Sequence, residues 1–386
     1  MDLLVLHNSE DSYINLSNSL SFLQNFGRIK IVKIGIFDPY LDDLGGGEKY
    51  MMTIAQCLSK KHEVSVFWDR KEDLKHLLLR FSIDLSAVKI ENNIFDRKIS
   101  LLERLRESRK FDYIIVLSDG SIPLVSSKLL IHIQQPLQRM QAGSLLDKLK
   151  LSRVKYFFCN SEYTKKFIEK KFSVRVNVIY PPIKLKPKSL RKENIILTVG
   201  RFRVKNVKSE DYKKQSVMID EFKQLVDEGL KDWKFVLAVS VWDKEKKDFE
   251  QMRKNAEGYP IDFLINKSND ELWIIYSRAK IYWHATGYGE DLEKNPEYAE
   301  HFGISTVEAM GGGTVPVVIG TGGQIELVSD GENGFLWDNT TELRQKTSEL
   351  IKNPQLLQRM SLSAKKRAKY FADQNFCEKI EELIEK

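Results

Sequence analysis

Nine short runs of continuous apolarity, each followed by a stretch with helical spacing, constrain the fold of this chain more tightly than any other feature. They read KIVKIGIF (30–37), HEVSVFW (62–68), FDYIIVLSD (111–119), KLLIHIQQ (128–135), VKYFFCNS (154–161), ENIILTVG (193–200), WKFVLAVS (233–240), AKIYWHAT (279–286) and TVPVVIG (314–320). A strand with one wet face alternates apolar and polar residues; these do not, so both faces are covered. That is the mark of parallel sheets flanked by helices, and the expected class is α/β throughout.

The 386 residues, at roughly 100–200 per domain, make two domains the default. The pattern breaks at Tyr180, where YPPIKLKPKSLRKE has three prolines and no periodicity. Pro181 and Pro182 restrict the backbone to extended conformations, as a stiff connector would. We expect one Rossmann-like domain over 29–180, a hinge at 181–192, a second Rossmann-like domain over 193–365, and a last helix over 366–386 crossing back to the first domain. Residues 1–28 read as a loosely attached extension, too polar after six residues for a secretory signal. Ligands of such sheets bind beyond the carboxyl ends of the strands, so the cleft between the halves is where chemistry belongs.

The formal charge of +7 is unevenly spread. From Lys148 to Lys192 there are fourteen Lys/Arg and two Glu, a net of +12, which leaves −5 for the remainder. This segment is either a solvated face or a patch that leans on anionic lipid head groups. No nucleic-acid-binding signature accompanies it. The longest apolar runs, such as Tyr113 to Leu117, are strand-sized and far short of the ~20 residues that span a bilayer. Cys57, Cys159 and Cys377 stand far apart with no CxxC, so we expect neither a disulfide framework nor a zinc knuckle, and a reducing cytoplasm as the compartment.

Three segments carry chemistry. Gly45, Gly46 and Gly47 lead straight into an amphipathic helix, where they either make a tight turn or let a substrate reach the backbone and the helix N–H groups. The spacing is not GxGxxG, and no acidic residue follows at a strand end about 20 residues on, which disfavours a dinucleotide-dependent dehydrogenase. In VGRFRVKNVKSEDYKKQS, Arg201 stands just past a buried strand and Lys213 at the start of the next helix, a cation pair suited to a diphosphate. The third segment, AKIYWHATGYGEDLEKNPEYAEHFGISTVEAMGGGTVPVVIGTGGQIELV, reads strand, polar loop, Glu300-His301-Phe302-Gly303, then a helix over 304–311 whose first N–H groups are open to phosphate. Glu300 precedes that helix and Glu308 lies within it.

Glu300-x7-Glu308 inside EHFGISTVEAM, with PVV and GTGGQIELV downstream, resembles the signature of retaining family 4 glycosyltransferases of the GT-B fold. VGRF with its following Lys, the GGGE loop, CNSEYT and the IYPPI hinge match the same family in order, so the resemblance covers 30 to about 375. Within the family it is similar to the α-1,2-mannosyltransferases that extend a dolichol-linked oligosaccharide and to bacterial polysaccharide glycosyltransferases. The resemblance implies that Arg201 and Lys213 bind the donor's diphosphate, with Lys214 and Lys205 the alternatives to Lys213. It also implies that Glu308 holds the nucleotide ribose, that Glu300 with the backbone of Gly303 and Ile304 positions the sugar, and that Gly46 and Gly47 lie near the diphosphate or the acceptor. Where relatives have an active-site His two residues before a proline, this chain has Gln134, with His132 two positions earlier on the same strand face.

The implied partners are a nucleotide sugar and a saccharide or lipid-linked saccharide, with no cofactor. A metal is not expected, since no DxD pair bridges a pyrophosphate and no His/Cys cluster offers ligands. Two alternatives stand beside this reading: another GT-B chemistry such as a nucleotide-sugar epimerase, and a catalytically silent sugar-nucleotide-binding protein. The expected place is the cytoplasm, with peripheral attachment to its membrane through 148–192.

Overall fold

The computed structural model describes residues 31–42, 45–137, 144–202 and 213–385; the expected extension over 1–28 and Lys205 lie outside them. The first half runs in the order β1 (Lys33–Phe37), α1 (Gly46–Leu58), β2 (Glu63–Phe67), α2 (Lys71–Phe81), β3 (Lys89–Glu91), α3 (Leu101–Ser108), β4 (Tyr113–Leu117), β5 (Lys128–Ile133), α4 (Leu145–Leu151), β6 (Val154–Cys159), α5 (Glu162–Phe172) and β7 (Val176–Val178). Its seven strands form one sheet in the order β3-β2-β1-β4-β5-β6-β7.

The second half runs β8 (Glu193–Arg201), α6 (Gln215–Asp227), β9 (Lys234–Ser240), α7 (Lys246–Asn255), β10 (Ile261–Ile265), α8 (Asn269–Arg278), β11 (Ala279–His284), α9 (Ile304–Gly311), β12 (Val315–Ile319), α10 (Gln324–Leu327), β13 (Phe335–Trp337), α11 (Thr340–Lys352), α12 (Pro354–Lys369) and α13 (Asp373–Glu385). Six of these strands make a second sheet, β10-β9-β8-β11-β12-β13. Every described strand pair in both sheets is parallel. The nine apolar runs supply nine of the strands; β3, β7, β10 and β13 are additional, and each is the edge of its sheet.

Both sheets are buried on both faces, which is why their strands read as continuous apolar runs. On one side of the first sheet Ile34, Ile36, Val64 and Val66 pack with Met51 and Ile54 of α1; on the other Ile114, Val116, Ile131 and Ile133 pack with Ile168 of α5. The second sheet has an equivalent pair of layers around Phe222, Phe235 and Trp283, and around Tyr282, Val307 and Met310. Helix α13 carries Phe376, Ile380, Leu383 and Ile384 into the core of the first half.

One expectation fails here. Cys57 of α1 and Cys377 of α13 are joined by a disulfide across a sequence separation of 320, and only Cys159 is a free, buried thiol. The packing of α13 on α1 brings the two together, a juxtaposition that spacing along the chain cannot reveal.

The halves also touch through polar groups. The Glu326 carboxylate of α10 accepts the N–H of Glu162 and of Tyr163, each at 2.8 Å, at the start of α5. Tyr163 in turn donates its hydroxyl to the Pro296 carbonyl at 2.9 Å. The proline segment lies on the second half: Ile183 is fully buried and its N–H donates to Phe371 O at 3.3 Å. Lys192, counted above in the basic stretch, does not reach the surface patch. Its ammonium donates to the carbonyls of Ala279 and Gly312 at 2.6 and 2.9 Å.

Candidate active site

Between the two sheets is a cleft of about 510 Å³. The first half lines it with Gly45, Gly46, Gly47, Lys49 and Gln134; the second with Arg201, Lys213, Glu300, Gly303, Ile304 and Glu308. Nearly every residue singled out in the sequence therefore meets at one place. Strands ending at the cleft deliver them: β8 ends on Arg201, β11 on His284, and the segment after β11 carries Glu300.

Gly303 has φ 109°, a left-handed conformation in which a side chain would be strained. A Cβ there would also lie 2.6 Å from Gln324 Nε2, so the turn that opens α9 toward the cleft requires glycine. On the facing side a Cβ at Gly46 would sit 3.5 Å from Ile304 Cδ1. The glycine loop and the start of α9 are thus close across the cleft, and the Gly45 N–H donates to Glu48 Oε2 at 2.7 Å.

Glu300 is the electrostatic centre. Lys213 Nζ lies 2.7 Å from Oε2, and His284 Nε2 lies 3.1 Å from the same oxygen. Burial opposes ionisation of this carboxyl, but the Lys213 charge and the His284 hydrogen bond outweigh it and hold Glu300 well below the usual carboxylate range. Glu308 has the opposite balance. Burial pushes its pKa up against the opposing effects of Lys49 and of the Tyr276 hydroxyl, which donates to Oε2 at 3.0 Å. Two carboxyls eight residues apart are so driven in opposite directions by their surroundings.

Of the two alternatives to Lys213, Lys214 turns away to Glu290 at 2.8 Å and Lys205 lies outside the described residues. Gln134 lines the cleft, but His132 is not brought there. It is wholly buried between Tyr50 and Phe158, at ring-centroid distances of 4.1 and 4.8 Å, and burial lowers its pKa to about 3. The two share a strand face, but His132 lies within the strand under Tyr50 of α1, whereas Gln134, past the strand end, packs beside Gly47 at the first turn of α1 and reaches the cleft.

His284, Tyr276 and Lys49 were not singled out from sequence. His284 carried a usable signal, a titratable residue at the last position of an apolar strand; Tyr276 did not, because nothing in the chain shows that α8 runs beside Glu308. Among the described residues no group of three His, Cys, Asp or Glu is arranged to hold a metal ion.

Residues 182–367 match the family described as Glycosyl transferases group 1. They are a group 1 glycosyl transferase domain. Together with the facing parallel sheet of the first half, this domain makes the GT-B architecture. The chain is similar to the GDP-Man:Man(3)GlcNAc(2)-PP-Dol alpha-1,2-mannosyltransferase of Dictyostelium discoideum, 26% identical over 54% of this chain and 42% of that protein. It is also similar to the GalNAc-alpha-(1->4)-GalNAc-alpha-(1->3)-diNAcBac-PP-undecaprenol alpha-1,4-N-acetyl-D-galactosaminyltransferase of Campylobacter jejuni, 26% identical over 61% of this chain and 68% of that protein. The chain thus spans less than half of the Dictyostelium protein's length. Among solved structures, Anabaena HepE in complex with UDP and glucose superposes with a TM-score of 0.64 at 19% identity, over 92% of this chain and 99% of that one. Outside the glycosyl transferase domain, then, the likeness extends to the first sheet as fold.

Proposed function

We propose that the protein is a retaining glycosyltransferase moving a hexose, with mannose favoured, from a nucleoside-diphosphate sugar to a saccharide or lipid-linked saccharide. The observation that carries this is the meeting of Arg201, Lys213, Glu300, Glu308 and the open start of α9 in one cleft. A diphosphate leaving group gathers negative charge as the sugar–phosphate bond breaks, and fixed cations with helix N–H groups stabilise that charge. Glu308 takes ribose hydroxyls and Glu300 orients the sugar. In this reading the acceptor hydroxyl attacks C1 on the face the phosphate leaves, the C1–O bond to phosphate breaks, and the hydroxyl proton passes to the departing phosphate oxygen. We read Glu300 as an orienting group, its carboxylate held at Oε2 by Lys213 and His284.

Neutralisation by side chains makes the enzyme metal-independent, so activity survives a chelator. The Dictyostelium relative's name specifies GDP-Man and the Anabaena structure holds UDP and glucose, so GDP-mannose and UDP-glucose are the first donors to try. Hydrolysis or transfer with GDP-, UDP- and ADP-sugars tests the reading; no turnover or binding of any of them would overturn it in favour of a silent scaffold.

The names of both relatives place their acceptor sugars on PP-Dol or PP-undecaprenol, which motivates a lipid-linked acceptor here. Helix α4 supports it. None of its seven residues is buried, Leu145, Leu146 and Leu149 are 85%, 51% and 49% exposed, and Lys148 stands exposed among them. Leucines that enter the head-group region beside cations suit an anionic bilayer. We place the enzyme on the cytoplasmic face of a membrane. The Cys57–Cys377 bond speaks for an oxidising compartment instead, and thiol titration of protein purified without reductant decides between them. Co-sedimentation with anionic and neutral liposomes at 0.1 M and 1 M salt tests attachment; indifference to lipid charge would leave a soluble saccharide as acceptor.

A further inference from the structure

His284 ends β11 and is 4% exposed, yet its ring does not pack as an ordinary core residue. Nε2 is 3.1 Å from Glu300 Oε2 and 3.3 Å from Thr286 Oγ1, while Nδ1 has no hydrogen-bond partner. An ionised carboxylate only accepts, so Nε2 carries the proton. A second proton on Nδ1 would be a buried N–H with no acceptor, which costs the full desolvation of that group. Geometry thus sets both the tautomer and the neutral state, in line with the downward shift that burial imposes on this histidine.

The other donor to Oε2 is Lys213, on a long flexible stem. In the function proposed above, Lys213 also serves the donor's diphosphate. A cation shared between Glu300 and a phosphate loosens its hold on the carboxylate when substrate arrives. The imidazole is rigid, buried and cannot leave. We infer that His284 is a positioning residue that keeps the Glu300 carboxylate in one orientation, with Oε1 presented to the bound sugar, while Lys213 turns to the diphosphate. The inference rests on the orienting role given to Glu300.

Replacing His284 by Gln keeps an N–H near the Nε2 position, whereas Leu keeps bulk without a donor. We expect His284→Leu to lower kcat for GDP-mannose or UDP-glucose turnover about tenfold or more, with KM and nucleoside-diphosphate affinity within about twofold of wild type. His284→Gln should recover most of kcat. In a Glu300→Gln background the His284 changes should add nothing further, and the His284→Gln arm of that cycle carries the test if the Leu variant fails to fold. Full kcat in His284→Leu, a matching loss of nucleotide affinity, a well-folded His284→Gln no better than Leu, or additive losses in the double variants would each overturn the inference. If Glu300→Gln itself turns over normally, the role of Glu300 fails first, and that outcome is distinct from the others.

Discussion

The side-chain amide of Gln134 fills the space that a Cβ on Gly47 would need, with Oε1 only 2.5 Å from the ideal Cβ position. Gly47 is the second residue of α1, and its backbone is not left-handed. Its requirement is therefore room for a neighbour rather than freedom of φ.

Gly47→Ala should separate stability from function. Alanine raises helix propensity by up to ~1 kcal/mol, so the melting temperature should hold or rise. Gln134, displaced from its rotamer at the wall of the cleft, should cost turnover roughly fivefold to tenfold, the equivalent of about 1 kcal/mol. Steady-state kinetics beside thermal melts check this; unchanged turnover would mean that Gln134 has no part in substrate placement.

Asp38, just past β1, is fully buried with Oδ2 unpartnered; burial first, then Glu48, lift its pKa to about 8. The folded protein keeps a proton that the unfolded chain releases near pH 4. Stability contributed by this group therefore falls as pH rises from about 4 to about 8, with a slope of at most ~1.4 kcal/mol per unit. Asp38→Asn, which cannot titrate, should melt higher than wild type at pH 8 and depend less on pH. Identical melting profiles from pH 5 to 8 would contradict it.

The Cys57–Cys377 bond ties α13 to α1 and closes nearly the whole chain into one loop. Loss of such a cross-link typically costs about 2–5 kcal/mol through the entropy of the unfolded chain. Cys377→Ser, or reduction, should lower the melting temperature by several degrees and loosen the docking of α13, read out by hydrogen exchange in 373–385. No change on reduction would show that α13 is held by Phe376, Ile380, Leu383 and Ile384 alone.

How much of this was legible in the chain depends on burial. Strands with a neighbour on each side, such as Tyr113–Leu117 and Val315–Ile319, stand out because every position faces protein. The four strands that went unseen, Lys89–Glu91, Val176–Val178, Ile261–Ile265 and Phe335–Trp337, are the sheet edges, three to five residues long and partly exposed, where no continuous apolar run is demanded. Arg201 at a strand end and Gly303 at a helix start were readable from the local pattern, and the roles of Glu300 and Glu308 from the family resemblance of EHFGISTVEAM. The pairing of Lys213 and His284 on one oxygen, the burial of His132 under Tyr50 and the disulfide across 320 residues arise only when distant elements pack.

Arg201 lines the cleft at the end of β8. Removing one charge-assisted contact to a leaving diphosphate costs roughly 10²–10³ in rate. Arg201→Ala should therefore lose about that much turnover while melting like wild type. Near-normal turnover would assign the diphosphate to other groups.

The central claim is that this cleft divides its work between two glutamates, Glu308 for the nucleotide and Glu300 for the sugar. Titration calorimetry of GDP and UDP against wild type, Glu308→Ala and Glu300→Ala tests it most directly. One nucleoside diphosphate should bind wild type and Glu300→Ala alike and bind Glu308→Ala at least tenfold more weakly, a difference of about 1.4 kcal/mol. Equal affinities in all three proteins, or no binding of either nucleotide to wild type, would contradict it.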